Sequence, residues 1–196
     1  MNTAQEITDK KLVEQFVEGD SSSFEELIKR YKDRVFTYIL MIVKNQDLAN
    51  DIFQDTFIKV MSSLRKSKYE DRGSLISWII RISHNLIIDH FRKEKRLQTV
   101  SNDDSEIDLF NSAKFSDSNI EEILVKQQIE NDVRKLLDTL PNEQKQVVLL
   151  RLYGDMSFKE ISELTGVSIN TALGRMRYAL INLRKVIEDN KINLIV

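Results

Sequence analysis

The chain contains no cysteine, one proline and five glycines. Without cysteine there is no disulfide framework and no thiolate chemistry, a composition that suits a reducing cytoplasm. So little proline and glycine argues against a sheet-and-turn protein and for long uninterrupted helices. The two histidines, His84 and His90, are six apart on different helix faces, and no metal-ligand cluster accompanies them. No glycine-rich phosphate loop or nucleophile arrangement occurs either, so an enzyme is the poorest reading and no cofactor or metal is expected. The longest apolar run, Tyr38–Val43, is far too short to span a bilayer. The N-terminus lacks the apolar stretch of a signal peptide. What is present is an ordinary soluble composition, 41% apolar and 31% charged over 196 residues, enough for one large or two small domains.

The net charge of −2 hides a segregation. Residues 1–64 carry eight bases and eleven acids, and residues 65–96 carry nine bases and four acids. Residues 97–123 reverse this with one base and seven acids, and residues 166–196 return to five bases and two acids. Two basic zones are thus separated by an acidic segment.

Hydrophobic periodicity predicts an all-α chain. A short amphipathic helix spans Lys10–Glu18. A second follows Ser22, with Glu25 three residues on as a capping box. A third covers Leu48–Leu64, capped by Asp47, with Ile52, Phe53, Phe57, Val60, Met61 and Leu64 inward and Asp51, Gln54, Asp55 and Lys59 outward. A basic loop, 65–73, leads to a fourth helix, Ser74–Arg96, whose apolar face is Leu75, Trp78, Ile79, Ile82, Leu86 and Phe91. Its basic end can track a phosphate backbone. Trp78, at helical spacing among isoleucines and leucines, reads as core. Gln98–Ser118 has five serines, four aspartates and one glutamate and no sustained period, and reads as a flexible linker. Its acids suit repelling DNA or covering a basic face, while Ile107, Leu109, Phe110 and Phe115 suit docking. Composition does not choose between these. Ser118 with Glu121 gives a further capping box before a helix over Asn119–Leu137, and Pro141 opens the next.

The stretch Asp155–Lys185 reads as a helix, a tight turn and a longer helix. Ser157 and Glu160 form a capping box, Gly166 takes the positive φ that ends the first helix, and Ser168 caps the second. Ala172, Met176, Ala179 and Leu183 share one face, while Asn170, Thr171, Leu173, Arg175 and Arg177 lie on the other. No acid occurs between Gly166 and Lys185. This is the layout of a helix-turn-helix offering a recognition helix to a DNA major groove, or of an ordinary helical hairpin with a solvated basic face.

Three segments, Asp47–Val60, Gly73–Arg96 and Leu140–Lys185, occur in an order that resembles bacterial RNA polymerase sigma factors of the extracytoplasmic-function group, over residues 12–187. The resemblance implies two small helical domains, 1–96 and 119–196, joined by a flexible acidic linker over 97–118, the C-terminal domain being a helix-turn-helix. It implies that core RNA polymerase docks on Asp47, Asp51, Gln54, Asp55 and Phe57. It implies that the minus-ten promoter element is recognised and melted by Tyr69, Arg72, Arg81, Asn85, Asp89, Arg92, Lys93 and Arg96. Of these, Tyr69, Arg81 and Asn85 would approach a flipped base. The minus-thirty-five element would fall to Ser168, Asn170, Thr171, Leu173, Gly174, Arg175, Arg177 and Tyr178. The partners implied are core polymerase, promoter DNA and an anti-sigma factor, for a cytoplasmic chain without membrane insertion that is monomeric when not in complex.

The recognition helix departs from the family pattern, which carries lysine and serine where this chain has Leu173 and Gly174, and Ser162 stands where alanine is usual. Leu173 suits a thymine methyl. The two promoter elements lie about 25 base pairs apart, roughly 85 Å. The 21 linker residues extend to at most ~75 Å, so two small domains span the gap only with the linker well extended. The second function class is a helix-turn-helix regulator that is not a polymerase subunit, which needs no melting region. A third, a purely protein-binding helical adaptor, predicts no effect of changing Arg175 or Arg177.

Overall fold

The computed structural model describes residues 7–66, 69, 74–98 and 132–189. Arg72, the linker, the Ser118–Glu121 cap and the C-terminal INLIV lie outside the described residues. Every regular element described is helical, with no strand among the described residues. The elements are α1 (Asp9–Val17), α2 (Ser21–Val43), α3 (Gln46–Arg65), α4 (Leu75–Gln98), α5 (132–138), α6 (Asn142–Gly154), α7 (Phe158–Thr165) and α8 (Ile169–Asp189). They fall into two compact units, one built on α1 to α4 and one holding most of α5 to α8.

Capping sets the helix starts in the first unit. Thr8 caps α1 by accepting from the Lys11 amide. Asp20, not Ser22, caps α2. Its carboxylate accepts from the Ser22 amide at 3.0 Å and from the Ser22 and Ser23 hydroxyls at 2.7 and 2.6 Å. The hydroxyls of Ser22 and Ser23 foremost hold the Asp20 carboxyl below its ordinary pKa. An ionised carboxylate is the stronger acceptor and complements the helix dipole, which is why it displaces the predicted serine box. Likewise Asn45, not Asp47, caps α3, accepting from Leu48 at 2.9 Å. Asp47 sits in the first turn, where its charge is favourable. Lys44 ends α2 with φ 56°, in the left-handed region.

The core of this unit joins Val35, Tyr38 and Ile39 of α2 to Ile52, Val60 and Leu64 of α3 and Ile76, Ile80 and Ile87 of α4. Phe16 stacks on Phe24 at 4.8 Å between ring centres, and Phe24 meets Phe57 edge-on at 6.5 Å. Arg30 and Tyr31 both bond Asp9, tying α2 to α1. The buried face of α4 differs from the predicted one. Leu75, Ile76, Ile79, Ile80, Ser83, His84 and Ile87 are buried; Trp78, Ile82 and Leu86 are half-buried; Phe91 is exposed. LISWIIRISHNLII is apolar around most of its circumference, so its period does not choose an inward stripe. Two polar residues choose it. The Ser83 hydroxyl returns to the Ile80 carbonyl at 2.9 Å, and His84 Nδ1 lies 2.8 Å from the fully buried Tyr38 hydroxyl.

In the second unit, Val147, Val148, Leu149 and Leu150 are all buried, so α6 is enclosed on every side over that stretch. Lys145 is buried against Asp138 at 2.5 Å, and Asn182 donates to Gln144 at 2.9 Å, linking α6 to α5 and α8. The Ser157–Glu160 capping box is formed. Gly166 ends α7 with φ 68°. The Ser168 hydroxyl accepts from the Thr171 amide at 3.0 Å. Ala172 and Ala179 are buried, with Met176 and Leu183 half-buried beside them.

Burial lowers the His84 pKa from its ordinary value. The folded state therefore prefers the neutral ring. Stability from this site is full above about pH 6.5, the unfolded value, and is lost as pH falls toward the folded pKa. Thermal unfolding of the native chain between about pH 7.5 and 5.5 is expected to show a falling midpoint, and His84→Gln is expected to flatten that fall.

Candidate polymerase and nucleic-acid interfaces

On α3, Asp47, Asp51, Gln54 and Asp55 recur at spacings of four, three and one, which aligns them on one stripe. All four are exposed, and none is tied to another described side chain. Phe57, predicted with them as a contact, is 6% exposed and packed against Phe24 and Phe53. It supports the stripe from beneath and offers no surface of its own. Sequence reasoning missed Ile58, which is 57% exposed and continues the stripe at the spacing of Gln54 plus four. Its signal was there: an apolar residue on the polar side of a well-phased amphipathic helix.

On α4, Arg81, Asn85, Asp89, Arg92 and Arg96 follow spacings of four, four, three and four, a single stripe opposite the Ser83–His84 side. Arg81 is half-buried, and Asn85, Asp89, Arg92, Lys93 and Arg96 are exposed. Asp89 and Arg92 approach at 3.9 Å, both well exposed, which is a weak pair in water. Tyr69 lies with its ring centre 4.9 Å from that of Trp78, inclined at 58°. Trp78 is thus half-buried in an aromatic pair, not core as predicted. Fixed cations along a rigid helix, with aromatic rings nearby, suit a phosphate backbone and an unstacked base.

On α8, Asn170, Gly174, Arg177 and Tyr178 follow each other at spacings of four, three and one on the face opposite Ala172 and Ala179. Asn170, Arg177 and Tyr178 are exposed, and Gly174 and Arg175 half-buried. Ser168 and Thr171 are engaged with each other, hydroxyl to hydroxyl at 2.8 Å, so both belong to the cap that starts the helix. Leu173, 44% exposed, turns toward a groove that Phe158 of α7 also lines. A Cβ added at Gly174 would meet nothing within 4 Å.

Two families match this chain along its length: Sigma-70 region 2 over residues 27–97, and Sigma-70, region 4 over residues 130–178. The first covers α2 to α4 and the second runs from α5 into α8. The chain belongs to the extracytoplasmic-function group of sigma-70 factors. It is 24% identical over 183 residues to the ECF RNA polymerase sigma factor SigW of Bacillus subtilis, covering 92% of this chain and 97% of that one. It is 26% identical over 192 residues to the ECF RNA polymerase sigma-E factor of Escherichia coli, covering 96% of each. The sigma factor RpoE of Bartonella quintana, solved in complex with the anti-sigma factor NepR, shares its fold with a TM-score of 0.63 and 19% identity. That match covers 85% of this chain and 98% of that one. As a sigma factor, the chain directs core RNA polymerase to promoters. A region 2 match beside a region 4 match does not fit a free-standing helix-turn-helix regulator. Sigma factors in general are not enzymes. No described helix is long and apolar enough to cross a membrane.

Glycine inside a helix costs about 0.5–1 kcal/mol relative to alanine. Gly174→Ala in this sigma factor is therefore expected to raise stability by roughly that amount in denaturant titration. An unchanged or lowered midpoint would show a packing constraint on α8 that the open space at Gly174 does not contain.

Proposed function

We propose a division of labour among the exposed stripes. Residues 1–96 bind core polymerase and open the promoter, 97–118 tether, and 119–196 read the minus-thirty-five element. The observation that carries this reading is the presence, on two neighbouring helices of one unit, of an unpaired acidic stripe on α3 and a basic stripe on α4. An acidic stripe repels DNA and suits a basic protein partner. A basic stripe does the reverse. Asp47, Asp51, Gln54 and Asp55, with Ile58 added, form the polymerase contact.

Opening a duplex requires unstacking at a cost of a few kcal/mol per base, which a pocket for the extruded base and cations for the released strand offset. Tyr69, Arg81 and Asn85 take the base side of that task, and Arg92, Lys93 and Arg96 the backbone side. Arg72 belongs with them by its place in the sequence. Asn170, Gly174, Arg175, Arg177 and Tyr178 meet the minus-thirty-five element. With lysine and serine absent from 173 and 174, that half of the contact leans on the two arginines. The chain works by binding alone, in the cytoplasm where polymerase is, with an anti-sigma factor as a further partner. The complex formed by its Bartonella quintana structural neighbour supports that last point.

Asp51→Arg combined with Asp55→Arg is expected to weaken co-purification with core polymerase by about tenfold or more, some 1.4 kcal/mol, with the helical signal unchanged. Undiminished binding would reduce the stripe to a solvated surface. Asn85→Ala is expected to slow open-complex formation, read by permanganate reactivity of unpaired thymines, while closed-complex binding holds. Equal loss in both assays would remove Asn85 from melting.

A further inference from the structure

The second unit carries an apolar groove whose walls have no part in the division of labour, although Arg177 at its rim does. Between α7 and α8 lies a groove of about 460 Å³ with Phe158, Leu173, Leu180 and Ile181 as apolar walls and Arg177 and Arg184 at its rim. Leu173, Leu180 and Ile181 are each more than 40% exposed. Neither arginine makes an ion pair among the described residues. Large apolar side chains clustered on a soluble surface mark an interaction site. A DNA phosphate backbone would satisfy the arginines and leave these walls wet. The fitting occupant carries apolar side chains interleaved with carboxylates.

One segment of this chain has that pattern. Asp103–Phe110 reads DDSEIDLF, with Asp103, Asp104, Glu106 and Asp108 interleaved with Ile107, Leu109 and Phe110. Those apolar residues belong to no helical period and to no core described above. We propose that the α7–α8 groove docks Asp103–Phe110 of the same chain, so that its carboxylates compete with DNA phosphates for Arg177 and Arg184. If the segment is extended, alternation puts Ile107 and Leu109 on one side, toward the walls, flanked by Glu106 and Asp108. Reach is no obstacle. The 21 residues between Phe110 and α5 span up to ~75 Å, against roughly 30 Å for the whole of α8. Tethering sets a local concentration on the order of millimolar, so even a weak intrinsic contact is populated. A separate chain bearing the same pattern must reach the groove against this tethered competitor.

The absence of native cysteine makes the test direct. In the full-length chain, Leu109→Cys with Leu180→Cys is expected to form an intramolecular disulfide under mild oxidation. Reversing the rim with Arg177→Glu and Arg184→Glu is expected to slow it by about fivefold or more, and adding Glu106→Arg and Asp108→Arg to restore it. Equal rates in all three backgrounds would overturn the proposal, as would a predominantly inter-chain product, which would make a second copy the occupant. This readout involves no DNA, so it stands apart from the assignment of α8 to the minus-thirty-five element. In a second readout, Ile107→Ala, Leu109→Ala and Phe110→Ala together are expected to raise the affinity of the free protein for a short fluorescent duplex at low salt by several-fold. An unchanged affinity would overturn competition with DNA.

Discussion

Tyr38 is enclosed at the centre of the first unit with its hydroxyl 2.8 Å from His84 Nδ1. Burial pushes the phenol pKa up and the imidazole pKa down, so both groups stay neutral and satisfy each other. A buried polar atom without its partner costs about 1–3 kcal/mol, so the pair fixes the rotation of α4 about its own axis. Apolar contact alone would not, because that helix is apolar around most of its girth. With His84 turned inward, Arg81 and Asn85 face outward, and Arg92 and Arg96 follow on the same stripe. A slip of one residue would swing that stripe by about 100° and carry Trp78 away from the ring of Tyr69.

The same logic separates what the residues announced from what they concealed. The helix-turn-helix was legible because its signals are local: Ser157 with Glu160, Gly166, and Ser168 each act within a few residues. The sequence places the starts of α2 and α3 two positions late, at Ser22 for Asp20 and at Asp47 for Asn45. A capping box and a lone carboxylate compete for the same amides, and only geometry shows which wins. The inward face of α4 was concealed because it is decided by a histidine whose partner lies 46 residues away. The stripe on α3 is visible in the sequence as polar, and only the family resemblance suggests it as a partner surface. Even then Phe57 was counted as contact and Ile58 overlooked, since spacing does not distinguish an apolar residue under a surface from one on it.

Charge segregation gives the two units different relations to DNA. In the first, an acidic stripe on α3 and a mainly basic stripe on α4 lie on separate helices, which suits the proposed contacts with a protein and a polyanion without either field cancelling the other. In the second, the acid-free stretch from Gly166 to Lys185 gives one sign of charge to α8 up to its last turn, and its apolar flank is what distinguishes it from a simple phosphate clamp.

The empty space around Gly174 has a bearing on how this chain changes over time. No described residue lies within 4 Å of a Cβ placed there, and the neighbouring positions Asn170, Arg177 and Tyr178 are exposed. Mutations on that face of α8 are therefore not filtered by folding. The face proposed to address promoter DNA can drift in preference one substitution at a time, while the buried alanines behind it hold the scaffold constant.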